Sequence, residues 1–77
     1  MSQAYILILT QVGKAQDVAR EVSRIRGVAT AQDVTGPYDV VVRAEGSSLD
    51  EISRSVLARI LGVAGITRTL TCPIASS

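Results

Sequence analysis

The sequence predicts an α+β domain with the element order β-α-β-β-α-β, and three observations carry that expectation. Two stretches, Lys14–Arg26 and Ser48–Ile60, place apolar residues at spacings of three and four, the mark of a helix with one buried stripe. Four β-rich runs flank and separate them. A Gly36-Pro37 pair joins the two middle runs, Val28–Thr35 and Asp39–Ala44, as a hairpin.

The first run, Ala4–Thr10, is apolar on both parities. A strand with one wet face alternates, so this one is expected in the middle of a sheet, covered on both sides. The protein's own helices supply one cover, and a second subunit is the economical source of the other. Gly13 opens the first helix, in which Ala15, Val18, Ala19, Val22 and Ile25 form the stripe and Gly27 stands where a left-handed C-cap is favoured. Val28–Thr35 alternates loosely and is polar enough for an edge, with Val28, Thr30, Gln32 and Val34 on one side and Ala29, Ala31, Asp33 and Thr35 on the other. Pro37 presets φ for a tight turn and Gly36 tolerates dihedrals that a side chain forbids. Ser48 and Glu51 match a capping box at the start of the second helix, whose stripe is Leu49, Ile52, Val56, Leu57 and Ile60, and Gly62 ends it. In the last run, Ile66–Cys72, threonines 67, 69 and 71 fall on one parity, and Ile66, Arg68, Leu70 and Cys72 on the other. Pro73 closes it, and Ala75-Ser76-Ser77 is expected to fray. This order is the split βαβ of a ferredoxin-like fold: a four-stranded antiparallel sheet with two helices on one face. Its halves echo each other at Arg26-Gly27-Val28 and Ala64-Gly65-Ile66, a symmetry of fold rather than a sequence repeat.

A chain of 77 residues is one domain, 1–77, and buries only about 60% of its unfolded surface. Cys72 is the only cysteine and there is no histidine, which removes disulfides and gives a structural metal no ligand set. With 47% apolar residues and a mean hydropathy of +0.31, the remaining common route to stability is a homo-oligomer. Eight basic and seven acidic residues are too balanced for a phosphate-neutralising footprint, and two tyrosines make no stacking platform, so no direct nucleic-acid contact is expected. Met1-Ser2-Gln3 carries no basic n-region and Ala4–Leu9 is too short to span a bilayer, so no membrane contact is expected, and a lone thiol suits the reducing cytoplasm.

Catalysis has little to work with. Without histidine the usual general base and the Ser-His and Cys-His pairs are excluded, no glycine cluster resembles a phosphate loop, and Cys72 sits on an apolar parity as a small hydrophobe. No catalytic residue and no cofactor are therefore assigned. Two features remain: the hairpin tip Thr35-Gly36-Pro37-Tyr38-Asp39 and the hydroxyl row Thr67, Thr69, Thr71. Each has a bland reading, as a self-explanatory turn and as a half-exposed sheet face. Together, a carboxylate, a phenol, turn amides and hydroxyls suit a small zwitterion, with Asp39 pairing an ammonium group.

Those same stretches, with the opening Ala4-Tyr5-Ile6-Leu7-Ile8, Arg26-Gly27-Val28 and Gly65–Thr71, resemble the regulation-of-amino-acid-metabolism (RAM) domain of the Lrp/AsnC transcription regulators over about residues 4–74. The resemblance implies a sheet-packed dimer that assembles further into tetramers or octamers and binds a free amino acid effector between dimers. Carried onto this sequence, the ligand-binding positions are Thr35, Gly36, Tyr38 and Asp39, with Thr69, Leu70, Thr71 and Cys72 on the last strand. Full regulators of the family place a helix-turn-helix domain first, whereas Tyr5 already lies in the first strand here. The expectation is thus a stand-alone sensing domain, without its own DNA-binding domain, acting alone or with full-length regulators. Two other classes stay open: a small dimeric α+β-barrel enzyme and a ligand-free structural assembly partner.

Overall fold

Alternation along four strands decides which face of the sheet meets the helices. The structure, a computed structural model, describes residues 1–75, so the fraying expected at Ser76 and Ser77 lies outside the described residues. The elements are β1 (Ser2–Thr10), α1 (Ala15–Ser23), β2 (Val28–Asp33), β3 (Val40–Gly46), a second helix α2 and β4 (Ile66–Pro73). Helix α2 is composite: α-helical at Leu49–Glu51, π-helical over Ile52–Leu57 and α-helical again at Ala58–Ile60. The strands form one antiparallel sheet in the order β2-β3-β1-β4, which puts β1 in the interior and β2 and β4 at the edges. This is the expected ferredoxin-like α+β architecture.

Ala4, Ile6 and Ile8 pair across the sheet with Ala44, Val42 and Val40, and all six are buried. Val18, Ala19 and Val22 of α1 and Ile52, Val56 and Ile60 of α2 close this core from one side, so both helices lie on the same face. No polar side chain is buried among the described residues. The opposite face carries Tyr5, Leu7, Leu9, Val41 and Leu70. Leu7 and Leu9 are half-buried within the chain, while Tyr5 and Leu70 remain 44% and 46% exposed.

Several boundaries differ from the sequence expectation. Helix α1 ends at Ser23 rather than Arg26, because Arg24 N–H bonds to Glu21 and Ile25 N–H to Val22, an i,i+3 pattern that tightens and closes the last turn. Leu49 is exposed and takes no part in the α2 stripe. The hairpin connection is a six-residue bend, residues 34–39, closed by the Val34 N–H to Asp39 carbonyl bond of 2.9 Å, and is longer than a tight β-turn.

Two bulges correct the predicted faces. The β2–β3 register shifts between Val28 and Thr30, and the β1–β4 register shifts between Leu9 and Thr10, opposite Thr67. An extra residue reverses the parity behind it. Val28 therefore joins Ala31 on the helix side, away from Thr30 and Gln32. Ile66 likewise faces the helices, away from Arg68, Leu70 and Cys72.

The halves of the fold match at the entry to each bulged strand. Gly27 has φ +97° and Gly65 φ +96°, a region that favours glycine. The Gly27 carbonyl accepts from Glu45 N–H at 2.7 Å, and that of Gly65 from Gln11 N–H at 2.8 Å.

Candidate ligand-binding site

The hairpin tip is held by its last residue. Asp39 N–H donates to the Ile8 carbonyl at 2.9 Å, continuing the β1–β3 ladder one step beyond Val40. Its carboxylate then turns to the end of β1: Oδ2 accepts from Thr10 N–H at 2.8 Å and from the Thr10 hydroxyl at 3.3 Å. The aspartate thus caps a strand end that β3 no longer reaches, a role that the sequence did not show. Tyr38 is half-buried beside it, while Thr35, Gly36 and Pro37 are exposed. Gly36 adopts φ +146° with open space where a Cβ would stand, so the tip is shaped by backbone preference rather than by close packing.

Strand β4 distributes the other predicted residues over both faces. Thr69 and Thr71 stand opposite Ile8 and Ile6 and so share the helix-side face, where both are placed at the open edge of the core. Leu70 and Cys72 stand opposite Leu7 and Tyr5 on the outer face. Cys72 is a free thiol and half-buried, not the fully buried small residue that its parity suggested. The sheet register brings the tip level with Leu9 and Arg68, since Asp39 follows the Val40–Ile8 pair and Leu9 pairs with Arg68. Two strand spacings, about 10 Å, separate the backbones of Asp39 and Arg68. Thr71 and Cys72 lie three and four residues further along β4, towards the other end of the sheet. The fold of the single chain therefore groups Asp39, Tyr38 and Arg68 at one end and does not bring Thr71 or Cys72 to them.

Arg68 was not singled out in the sequence, although it stands between Thr67 and Thr69. Exposed and without an ion pair among the described residues, it offers a guanidinium level with the Asp39 carboxylate. Thr67, in the bulge, donates its hydroxyl to the Leu9 carbonyl at 3.2 Å. At the other end of the outer face Glu45 Oε2 accepts from Arg43 at 3.1 Å and from the Gln3 amide at 3.3 Å. Hollows indent the chain elsewhere, two of them beside the helices. One, about 460 Å³, lies between Gly65 and the Lys14, Asp17 and Glu21 side of α1; the other, about 510 Å³, lies between Gly27 and α2. None of the predicted site residues lines either one. Among the described residues no group of three histidine, cysteine, aspartate or glutamate side chains gathers as a metal site, and no helix is long and apolar enough to cross a membrane.

Comparison with known proteins gives these features a context. The family model of the Lrp/AsnC ligand binding domain matches residues 3–77. An uncharacterised helix-turn-helix-type transcriptional regulator of Pyrococcus furiosus is 35% identical over 68 residues, which are 88% of this chain and 45% of that protein. The chain thus spans about half the length of this curated relative. Among solved structures, a Thermus thermophilus protein superposes with a TM-score of 0.89 at 28% identity, covering 100% of this chain and 96% of that one. A transcriptional regulator of Neisseria meningitidis, solved in complex with L-Met, superposes with a TM-score of 0.81 at 20% identity, covering 99% of this chain and 51% of that one. The last likeness is one of fold.

Proposed function

The chain belongs to the Lrp/AsnC ligand-binding domain family of transcription regulators, and from that premise we propose that it is a homo-oligomeric module that binds a free amino acid at a subunit interface. The observation that carries this reading is the match of residues 3–77 to a ligand-binding domain, and the family and its relatives are regulators rather than enzymes. The Neisseria regulator's L-Met supports an amino acid as the ligand class.

The local chemistry is compatible with a zwitterion. Asp39 engages Thr10 through Oδ2, and Oδ1 makes no bond to the protein among the described residues, so it is available to an ammonium group. Arg68 stands level with it and suits a carboxylate. The Tyr38 phenol and the tip amides border the same end. In this reading Leu70 and Cys72 belong to the outer sheet face against which a second protomer packs, and residues that are apart in one protomer meet across the assembly. Tetramers or octamers, co-assembly with full-length regulators and a cytoplasmic setting are parts of the same proposal.

One observation favours a ligand-free structural role instead: Asp39 already has a complete reason to be aspartate in capping β1. The variant Asp39→Asn separates the two. The amide keeps an oxygen for Thr10 N–H but lacks the charge for an ammonium. Thermal melts against the twenty amino acids should show one that stabilises the parent, by about 2.7 kcal/mol at about 100 times Kd. The Asp39→Asn variant should melt near the parent in the absence of ligand and lose that response. If no amino acid at millimolar concentration raises Tm, and native mass is the same with and without them, the ligand-free role stands.

A further inference from the structure

The hollow between Gly27 and α2 has a composition that the hairpin site does not explain. Its rim includes Arg26 and Arg59, and neither has an ion pair or a side-chain hydrogen bond among the described residues. The ion pairs of the described residues use Arg20, Arg24, Arg43 and Arg54 instead. The two carboxylates at the same rim are already engaged. Glu51 accepts from Ser47 N–H at 3.0 Å and from the Ser47 hydroxyl at 3.0 Å, one bond on each oxygen. Glu45 is held by Arg43 and Gln3 on the outer face of the sheet. Among the described residues no carboxylate stands within ion-pair distance of either guanidinium, although the Glu51 carboxylate is near enough to feel the Arg26 charge. The hollow they border is about 510 Å³, within the size range of small-molecule sites.

A second and independent feature sits at the same place. The π-helical stretch Ile52–Leu57 supplies Ser55 and Val56 to the wall of this hollow. Such wide turns are uncommon and concentrate at functional sites. Val56 stands tight against Gly27, its Cγ2 2.5 Å from where a Cβ on that residue would lie. The corresponding hollow beside α1 has a regular helix, one lysine and two acidic residues, and no arginine on its rim.

From two arginines on one rim that form no ion pair among the described residues, and from the under-wound helix beside them, we infer that this hollow is a binding site for a small oxyanion, a carboxylate or phosphate group taken by Arg26 and Arg59. Guanidinium groups receive both anions through parallel N–H bonds, which a point charge does not reproduce. The Ser55 hydroxyl on the same wall is a further donor. The site is separate from the hairpin tip and from the amino acid proposed there.

Titrating the full chain with inorganic phosphate, and separately with acetate, while following backbone amide resonances by NMR tests this assignment. Sodium chloride at matched ionic strength serves as the screening control. The expected result is a saturable shift of the Gly27, Ser55 and Arg59 amides with at least one of the two anions and little change at residues 35–39. Saturation by phosphate alone, or by acetate alone, supports the site and assigns the anion class. Arg26→Gln or Arg59→Gln should weaken the response, and the double variant should lose about tenfold or more in affinity while its other resonances keep their positions. No saturable shift at millimolar anion, shifts equal to those in chloride, an unchanged response in the double variant, or shifts centred on Asp39 and Arg68 would each overturn it.

Discussion

Two glycine corners, built alike, differ in how tightly they are closed. At Gly65 a Cβ would lie 3.2 Å from Val18 Cγ2 and 3.3 Å from Lys14 Cβ, contacts that a small shift relieves. At Gly27 it would lie 2.5 Å from Val56 Cγ2 and 3.3 Å from the Glu45 carbonyl oxygen. Backbone φ is nearly the same at both, so conformational preference does not separate them. The difference lies in the facing helix. Regular α1 presents Val18 with slack, whereas the π-helical stretch of α2 drives Val56 against the turn. A pseudo-symmetric fold can therefore tighten one corner without disturbing the other.

The largest effect should come from Gly27→Ala, which adds a clash to an unfavourable φ and is expected to cost about 3 kcal/mol in urea unfolding. Gly65→Ala bears the φ penalty with little clash and should cost about 1.5 kcal/mol. An equal cost at both would mean that the helices matter less than the backbone. The cause can be located by a double-mutant cycle: Val56→Ala removes the methyl groups that oppose a Cβ at position 27. The pair Gly27→Ala with Val56→Ala should then be milder than the sum of its singles by about 1 kcal/mol, whereas Val18→Ala with Gly65→Ala should be nearly additive.

A smaller effect concerns Glu51, beside the tighter corner. The backbone amide of Ser47 first, then its hydroxyl, and then the nearby Arg26 charge hold its carboxyl below the ordinary value of 4.5. A group with a depressed folded pKa contributes stability above its unfolded pKa and loses it as pH falls through the folded value. Glu51→Gln should therefore lower stability slightly at neutral pH and flatten its decline below about pH 4.5, as read from acid titrations of Tm. An unchanged acid limb would show that the Ser47 bonds do not persist in solution.

The fold was legible because its cues are local. Apolar spacing located both helices, and the two-sided run at Ala4–Leu9 announced an interior strand, which β1 is. The capping box was also readable: Ser48 Oγ accepts from Glu51 N–H at 3.1 Å, although the Glu51 carboxylate reaches Ser47 rather than Ser48. What escaped depends on partners distant in sequence. The bulges opposite Arg43–Ala44 and Leu9–Thr10 are properties of a pairing, so Val28 and Ile66 were assigned to the wrong faces. The bond between Asp39 and Thr10 spans 29 residues and gave no sign in either segment. Arg68 shares a row with Asp39 only because β1 lies between β3 and β4. The π-helical stretch of α2 left no mark in the sequence, because Ile52, Val56, Leu57 and Ile60 keep the spacing of a regular helix.

The bulges have a consequence for crowding. A sheet with two free edges invites other chains to add strands, the first step towards fibres. Here each edge strand is interrupted near its start, at Ala29 and at Thr67, and β4 finishes on Pro73, which has no N–H to offer. Neither margin is a long, flat template. Lateral growth into a ribbon is disfavoured on both sides, so a highly apolar chain of this size can reach high concentration without polymerising through its rims.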